Sequence, residues 1–518
     1  MFNIMIFLGI KDKLKYLYTF EFVLILLGFI LRLKLYLYNN SFFIDECALG
    51  ANIINRNYLE LFLPLQLFQC SPPFFLMASK FILDISHQLG NLYTQDLVLR
   101  FLPLFCSIAS LPLFAIFLNK ITNNKIFIWI CLAMMSFNDI AISYAAIFKQ
   151  YSTELMFSLI LLLIFHNFSI NLSKKNLILY SFIICISIWF SNTAIFLIVA
   201  ELLYFICKYL NKSFREEIKP NLAKFIKIIF IPFSINFLLY YFCYFTPVYK
   251  SQYLFMKNFW TTFISSFLTL NNFPILFYQR LQGIIETPFT RLFLYLFLLL
   301  NVILLLKNKE FKNKTKFFII IPIIFSIIAS FINKYPFFAK FILYLLPMFI
   351  ILYCQVIFFI KYLDKKFIKT FKIFTIIVLF LCFCIKMNQP LAKELFINDP
   401  ARNAFEFIKQ NNIPINKIII VPFGHADYYA TDVFKDKKPL LYDSPWDGFK
   451  NSAARKFIDT CPKGDYWYIN MFLSIRFTNE TYNKQYLNYL KNNKHVKILK
   501  TYHYDHPDNV YIIHFEKK

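Results

Sequence analysis

What this chain lacks first is polar surface. Charged residues make up 16% of its 518 positions and hydrophobic ones 58%, with a mean hydropathy of +0.54. That balance excludes a soluble globular protein of this size, which needs far more polar surface to meet water. Acidic residues are scarce too. Lys and Arg total 55 against 29 Asp and Glu, a net charge of +26. An excess of this kind can mark a nucleic-acid binder, but the lysines sit in short gaps between apolar runs, where they act as topology signals. No nucleic-acid partner is expected. Glycine is rare, with 8 residues beside 68 Phe and 33 Tyr, the imprint of an AT-rich genome. Net charge alone therefore implies no anionic partner. There is no CxxC pattern, so no metal is expected from cysteine spacing, and most of the 11 Cys lie in apolar runs as small packing residues. Cys47 and Cys70 share one predicted outer loop and could pair there. The apolar run Met1–Ile10 is too short to span and lacks a small-residue cleavage site, so no cleaved signal peptide is read.

What is present is a series of long apolar segments. Spans are expected at 17–38, 98–118, 126–147, 152–170, 177–191, 193–210, 225–246, 289–306, 316–333, 341–361 and 370–387, about eleven crossings of roughly 30 Å of hydrocarbon. Basic gaps alternate along them: Lys11 to Lys15, Lys120 and Lys125, Lys174 and Lys175, Lys208 to Lys227, Lys307 to Lys316, and Lys361 to Lys372. This alternation predicts a cytoplasmic N-terminus and an extracytoplasmic tail. The chain divides into a membrane part, 1–387, and a tail, 388–518, whose Asp, Glu, Asn and His content is that of a soluble protein. Asp399-Pro400-Ala401-Arg402 predicts a helix start. Strand-like runs at Lys417–Val421, Tyr466–Ile469, Val496–Leu499 and Val510–Phe515 are separated by helical patterns near 425–433, 451–459 and 480–491. The fold class expected is thus a polytopic α-helical membrane protein carrying a small C-terminal extracytoplasmic α/β domain.

The outer loop 39–97 holds the adjacent carboxylates Asp45 and Glu46 just past the first span. Asp45, Leu49, Asn52 and Arg56 follow helical spacing and share a face. Pro72-Pro73 opens a 12-residue apolar run, Phe74–Ile85, too short to span and read as an interfacial helix. Acids at this place cap a helix N-terminus or act as a general base for an attacking hydroxyl. Arg100 opens the second span and is one of only nine Arg. It is either an interfacial anchor or a phosphate ligand through its planar fork. Lys149-Gln150-Tyr151 falls at an outer turn, where basic residues are depleted. Lys340 follows Tyr335-Pro336-Phe337 on the same side. Three basic groups at the outer mouth of a bundle suit a lipid phosphate. His425 and Asp427 read as a surface helix start or an acceptor contact. Trp260, Tyr278 and Arg280 read as interfacial anchors or sugar contacts.

In order, Asp45-Glu46, Leu63-Pro64-Leu65, Ser71-Pro72-Pro73-Phe74-Phe75-Leu76 and Arg100-Phe101-Leu102-Pro103 resemble the first outer loop and second span of GT-C superfamily glycosyltransferases that use polyprenyl-phosphate sugars. The relatives meant are the protein O-mannosyltransferase-like and aminoarabinose-transferase-like enzymes. Lys149-Gln150-Tyr151-Ser152-Thr153-Glu154 and the stretch Tyr335-Pro336-Phe337 to Leu346-Pro347 resemble two later segments of that family, and Asn416–Tyr429 resembles the start of its outer domain. Lys340 stands where the family often has Arg, and Ser71 where mannosyl-protein transferases carry His, which argues against a mannosyl-protein assignment. The resemblance implies inverting, cofactor-free and metal-independent transfer. Asp45 is the implied base and Glu46 a supporting ligand. Arg100, Lys149 and Lys340 are implied to hold the phosphate, with Gln150, Tyr151, Tyr335 and Asn52 as substrate contacts. Implied partners are a polyprenyl-phosphate sugar, an extracytoplasmic lipid, glycan or protein acceptor, and the bilayer, in this case a bacterial inner membrane. A multi-span transporter or a lipid-linked polymer ligase is the other class to weigh. A transporter predicts mid-membrane ionisable groups and internal repeats, and the sequence shows no clear repeat and few mid-span charges.

Overall fold

The first and third predicted spans run side by side. Helix α1 (Phe20–Tyr38) and a shorter helix at Lys125–Ser136 are tied at one end by Lys125 to Glu21, 3.0 Å, and eleven residues further along each by Arg32 to the carbonyl of Ser136, 3.0 Å. Equal steps between two cross-links mean that the helices are parallel. This computed structural model describes residues 20–66, 69–88, 94–168, 173–210, 212, 216, 219–250, 300–309, 311–332, 334–337, 340–355, 401–421, 428, 441–442, 453–470, 487–504 and 510–518. The predicted span 370–387, most of 289–306, the residues Trp260, Tyr278 and Arg280, and His425 with Asp427 lie outside them.

After α1 come α2 (Ile44–Asn55), α3 (Pro73–Gln88), α4 (Gln95–Ile121), α5 (Lys125–Ser136), the short α6 (Asp139–Ser143), α7 (Tyr151–Asn167), α8 (Lys174–Phe190), α9 (Ala194–Tyr209), α10 (Leu222–Lys250), α11 (Asn313–Phe331) and α12 (Leu343–Tyr353). Among the described residues α4, α10 and α11 are long and apolar enough to cross a membrane, and α5, α7 and α12 are apolar but shorter. Large apolar side chains such as Phe182, Ile206, Leu238, Phe242 and Ile328 stay exposed on the outer helix faces. In water that pattern would aggregate; in lipid it is the surface a bundle presents. The chain is a polytopic helical membrane protein. One apolar core joins α1, α4, α5 and α7 to α12.

The expected span 126–147 is not one helix. It stops at Ser136, and Asn138 restarts the chain by accepting from the Ala141 N–H, 2.9 Å, as the N-cap of α6. Arg32, fully buried in α1, enforces the break. It donates to Met135 O at 3.1 Å and Ser136 O at 3.0 Å, the end of α5, and to Gly28 O and Ser107 Oγ, both 2.9 Å. A cation on the last carbonyls of a helix satisfies groups that the helix itself leaves open. Gly28 permits this approach, because a Cβ there would meet Leu111 and Ser136 at 2.9 Å. Past α6 a tight turn over 144–150 leads into α7, closed by Ser152 Oγ on Tyr144 O at 2.7 Å.

The C-terminal part forms α13 (Ala401–Gln410), β1 (Ile418–Val421), β2 (Leu441–Tyr442), α14 (Ala453–Thr460), β3 (Gly464–Asn470), β4 (Val496–Tyr504) and β5 (Val510–Lys517). The sheet order is β2-β1-β3-β5-β4, with β1 parallel to β2 and β3, and β5 antiparallel to β3 and β4. β2 carries no strand signal in the sequence beyond its two residues. Period-two alternation buries both faces. Ile418, Ile469 and Ile512 pack with α13 onto α2, α3 and the start of α4, while Ile419, Tyr466, Tyr468, Ile513 and Phe515 pack with α14. One sheet face thereby becomes part of the same core as the loop that carries Asp45.

Candidate active site

α2 starts after Phe43, whose backbone is extended, and its first turn carries Asp45 and Glu46. The two carboxylates point to different partners. Glu46 is buried and turns back into the protein: Oε2 accepts from the Phe43 N–H at 3.3 Å, and Oε1 accepts from the Phe148 N–H at 2.5 Å. Arg100 grips it with two parallel bonds, Nε to Oε1 at 2.9 Å and Nη2 to Oε2 at 2.7 Å. The guanidinium also donates to the carbonyls of Asn40 and Ser41 and lies 4.6 Å above the Phe42 ring. Arg100 is thus committed to Glu46 and to the backbone of 40–41. The pair is a closed, internally neutral clamp of the bidentate kind, and Glu46 fulfils the helix-capping role as well.

Asp45 faces the other way. Its side chain is 38% exposed, with Oδ2 at 3.8 Å from the Lys340 Nζ. Burial pushes its carboxyl up, but the charges of Lys149 and Lys340 outweigh that and hold it below the usual carboxylate range. Lys149 sits in the turn before α7, nearly buried, and its Nζ donates to Gln69 Oε1 at 2.5 Å. Burial pushes the Lys149 ammonium down to about 8, assisted by Lys340 and opposed by Asp45 and Glu46. With Glu46 and Arg100 cancelling each other, two ammonium groups face one carboxylate. The set brings two ammonium groups and one ionised carboxylate together, with Lys149 nearly buried.

The remaining sequence candidates support this set. Tyr151 packs edge-on against Phe341 at 5.6 Å and Tyr144 at 5.0 Å, and Tyr335 donates to Phe341 O at 2.9 Å. Both tyrosines therefore hold the residue next to Lys340. Gln150 donates from Nε2 to Cys70 O at 3.3 Å. Asn52 clamps the loop after α2, donating to Gln66 O at 3.3 Å and accepting from Gln66 N at 2.9 Å. Cys47 and Cys70 do not pair. Both are free thiols; Cys47 is buried against Phe42 O, and burial pushes the Cys70 thiol up to about 11.

Several participants were not among the site residues expected from the sequence. Gln69, Cys70 and Ser71 line up opposite Lys149 and Gln150. Tyr244 donates to Ser71 O at 2.5 Å, and Tyr240 donates to Asn192 Oδ1 at 2.9 Å. Both tyrosines come from a π-helical turn of α10, Tyr240–Phe245, which departs from ordinary helical spacing. Glu154, one turn below Gln150, is buried and accepts from the backbone of Asn192. From the C-terminal part comes Tyr428. Its ring stacks on Phe42 at 4.9 Å, its hydroxyl donates to Asp96 Oδ1 at 2.9 Å, and Phe42 in turn stacks on Phe148 at 5.8 Å.

No protein-family profile and no curated protein matches the sequence. In structure the chain is similar to ArnT from Cupriavidus metallidurans, crystallised bound to undecaprenyl phosphate, with a TM-score of 0.50 and 10% identity. The superposition covers 96% of this chain and 98% of that one, so the likeness is one of fold along nearly the whole length of both.

Proposed function

We propose that this protein is a GT-C-type membrane glycosyltransferase that moves a sugar from a polyprenyl-phosphate donor to a hydroxyl of an extracytoplasmic lipid, glycan or protein, with inversion. The observation that carries the reading is the convergence of Asp45, Lys149 and Lys340 from three separate segments of the chain. The shared fold with a protein crystallised with undecaprenyl phosphate supports the choice of donor. In this reading the N-terminus is cytoplasmic and the site opens on the outer side of a bacterial inner membrane.

Asp45 takes the proton of the acceptor hydroxyl, and the oxygen attacks the anomeric carbon. The bond from that carbon to the phosphate oxygen breaks, its electron pair leaving with the phosphate, which Lys149 and Lys340 hold. The lysines do a second job. While the site is empty they keep Asp45 ionised; when a phosphate occupies them, their field on Asp45 is partly cancelled and the carboxylate becomes a stronger base. Glu46 and Arg100 are assigned to positioning, since their charges are spent on each other.

The test uses the full chain in nanodiscs with undecaprenyl-phosphate-linked monosaccharides and hydroxyl acceptors, reading release of undecaprenyl phosphate. Acceptor-dependent release that Asp45→Asn lowers by about 10²- to 10⁴-fold supports the proposal. Release untouched by that substitution, or transport of the lipid without bond cleavage, overturns it.

A further inference from the structure

Two buried polar atoms in the segments around Lys149 have no hydrogen-bond partner among the described residues: the Ser71 hydroxyl and the Gln150 Oε1. Ser71 is 1% exposed and Gln150 7%. Buried polar atoms of native proteins are nearly always paired, so two orphans at one place call for an explanation.

They do lie at one place. Gln150 Nε2 bonds to Cys70 O at 3.3 Å, and the orphan Oε1 is carried on the same amide carbon. Ser71 follows Cys70 directly, and Tyr244 fixes its backbone by donating to Ser71 O at 2.5 Å. One residue earlier on each side, Lys149 Nζ bonds to Gln69 Oε1 at 2.5 Å. Segments 69–71 and 149–150 are therefore stitched together twice, and the stitching leaves one hydroxyl and one amide oxygen over. The usual local remedy is not taken by Ser71. A serine before a helix satisfies its hydroxyl on a backbone N–H two or three residues ahead; Pro73 has none, and Ser71 makes no bond to that of Phe74.

A hydroxyl is both donor and acceptor. A sugar hydroxyl, or two vicinal ones, donates to Gln150 Oε1 and accepts from Ser71. We propose that Ser71 and Gln150 form the subsite for the sugar ring of the lipid-linked donor, selecting a polyhydroxylated monosaccharide next to the phosphate held by Lys149. This rests on the glycosyltransferase reading. It assigns the ring to the 70–71 side of Lys149 and the acceptor to the Asp45 side. In the donor the sugar is one bond from the phosphate, which matches the single-residue step from Lys149 to Gln150.

Binding separates the two ideas. The full chain in nanodiscs is titrated with undecaprenyl phosphate and with the same lipid carrying a hexose, a pentose or an amino sugar. The expectation is that at least one glycosylated lipid binds about tenfold tighter than the bare one, as two hydrogen bonds allow. Ser71→Ala and Gln150→Met should each cut that advantage to threefold or less. Binding of the bare lipid by each variant verifies its fold. Bare lipid bound with no sugar advantage, or an advantage that persists in both variants, overturns the subsite and leaves the donor reading standing. No binding of the bare lipid overturns the donor reading, and the subsite with it.

Discussion

The Phe148 N–H donates to Glu46 Oε1, and this one bond joins the neighbour of Lys149 to the neighbour of Asp45. Asp45 and Lys149, the proposed base and the proposed phosphate ligand, are spaced by their adjacent residues, not by touching each other. Arg100 locks the bond from the far side by holding both Glu46 oxygens.

Glu46→Gln should therefore damage stability and activity together. It leaves the Arg100 guanidinium buried without its counter-charge, and breaking a buried pair from one side costs about 3–5 kcal/mol. A lowered melting temperature with a lowered kcat is the expected pair of results. Arg100→Lys should rescue poorly, since an ammonium cannot form the two parallel bonds.

Asp45→Asn should show the opposite pattern. The side chain is partly exposed and forms no part of the clamp. Transfer should fall by about 10²- to 10⁴-fold while the melting temperature stays near wild type.

Removing the Lys340 charge, as in Lys340→Ala, should lower kcat/KM by about 10²- to 10³-fold, the usual cost of losing a preorganised charge partner. Lys340→Arg should keep most activity, because a fork-shaped cation reaches phosphate at least as well.

Lys149 sets an upper pH limit. Its ammonium titrates at about 8 in the folded protein, against an ordinary value near 10.5. Donor capture, read as kcat/KM, should fall as pH rises through 8. Stability should move the other way. Between the two values the unfolded chain binds more protons at this group, so the penalty for burying the charge fades as pH rises. Lys149→Arg should extend the kcat/KM plateau to higher pH. A pH limit unchanged in that variant would assign the titration to another group.

Tyr428 pins the C-terminal sheet to the loop that carries Asp45. A Cβ at Gly50 would meet the Tyr428 ring at 2.6 Å, so Gly50→Ala should push the ring out. Tyr428→Ala should cost about 3–5 kcal/mol, as for other large buried aromatic side chains, and Tyr428→Phe about 0.5–1.5 kcal/mol for the hydroxyl bond to Asp96. Melting curves and proteolysis of the C-terminal part would read both. Equal stability of all three variants would show that the sheet docks without this contact.

Sequence reasoning reached the charges and missed their pairing. Asp45, Lys149 and Lys340 stand out because charges in short gaps between apolar runs are easy to see. Arg100 looked equally available, yet its partner lies 54 positions away on another element, and no local pattern reports that pairing. The two adjacent acids read as a base and a supporting ligand at one site, whereas a helix start sends successive side chains in different directions, and Glu46 turns to Arg100. Tyr240 and Tyr244 were hidden because π winding breaks the 3.6-residue period on which helix faces are predicted. The end of α5 was masked by hydropathy that stays high through Ala145-Ala146-Ile147; the clue available was Asn138-Asp139, a cap in the middle of an apolar run. The tail's four longer strands were legible as short runs of strand-forming residues, and β2 was too short to register.

Arg32 has a consequence for how the protein is made. An arginine within a newly inserted helix costs up to about 2.5–3.5 kcal/mol at the translocon. Its hydroxyl partner arrives 75 residues later with Ser107, and its carbonyl partners at the end of α5 arrive 103 and 104 residues later. The first helix is thus inserted on credit and secured only once residue 136 has emerged. Chains truncated near residue 120 should lose the first helix from the membrane or to proteases, and chains ending beyond 145 should retain it.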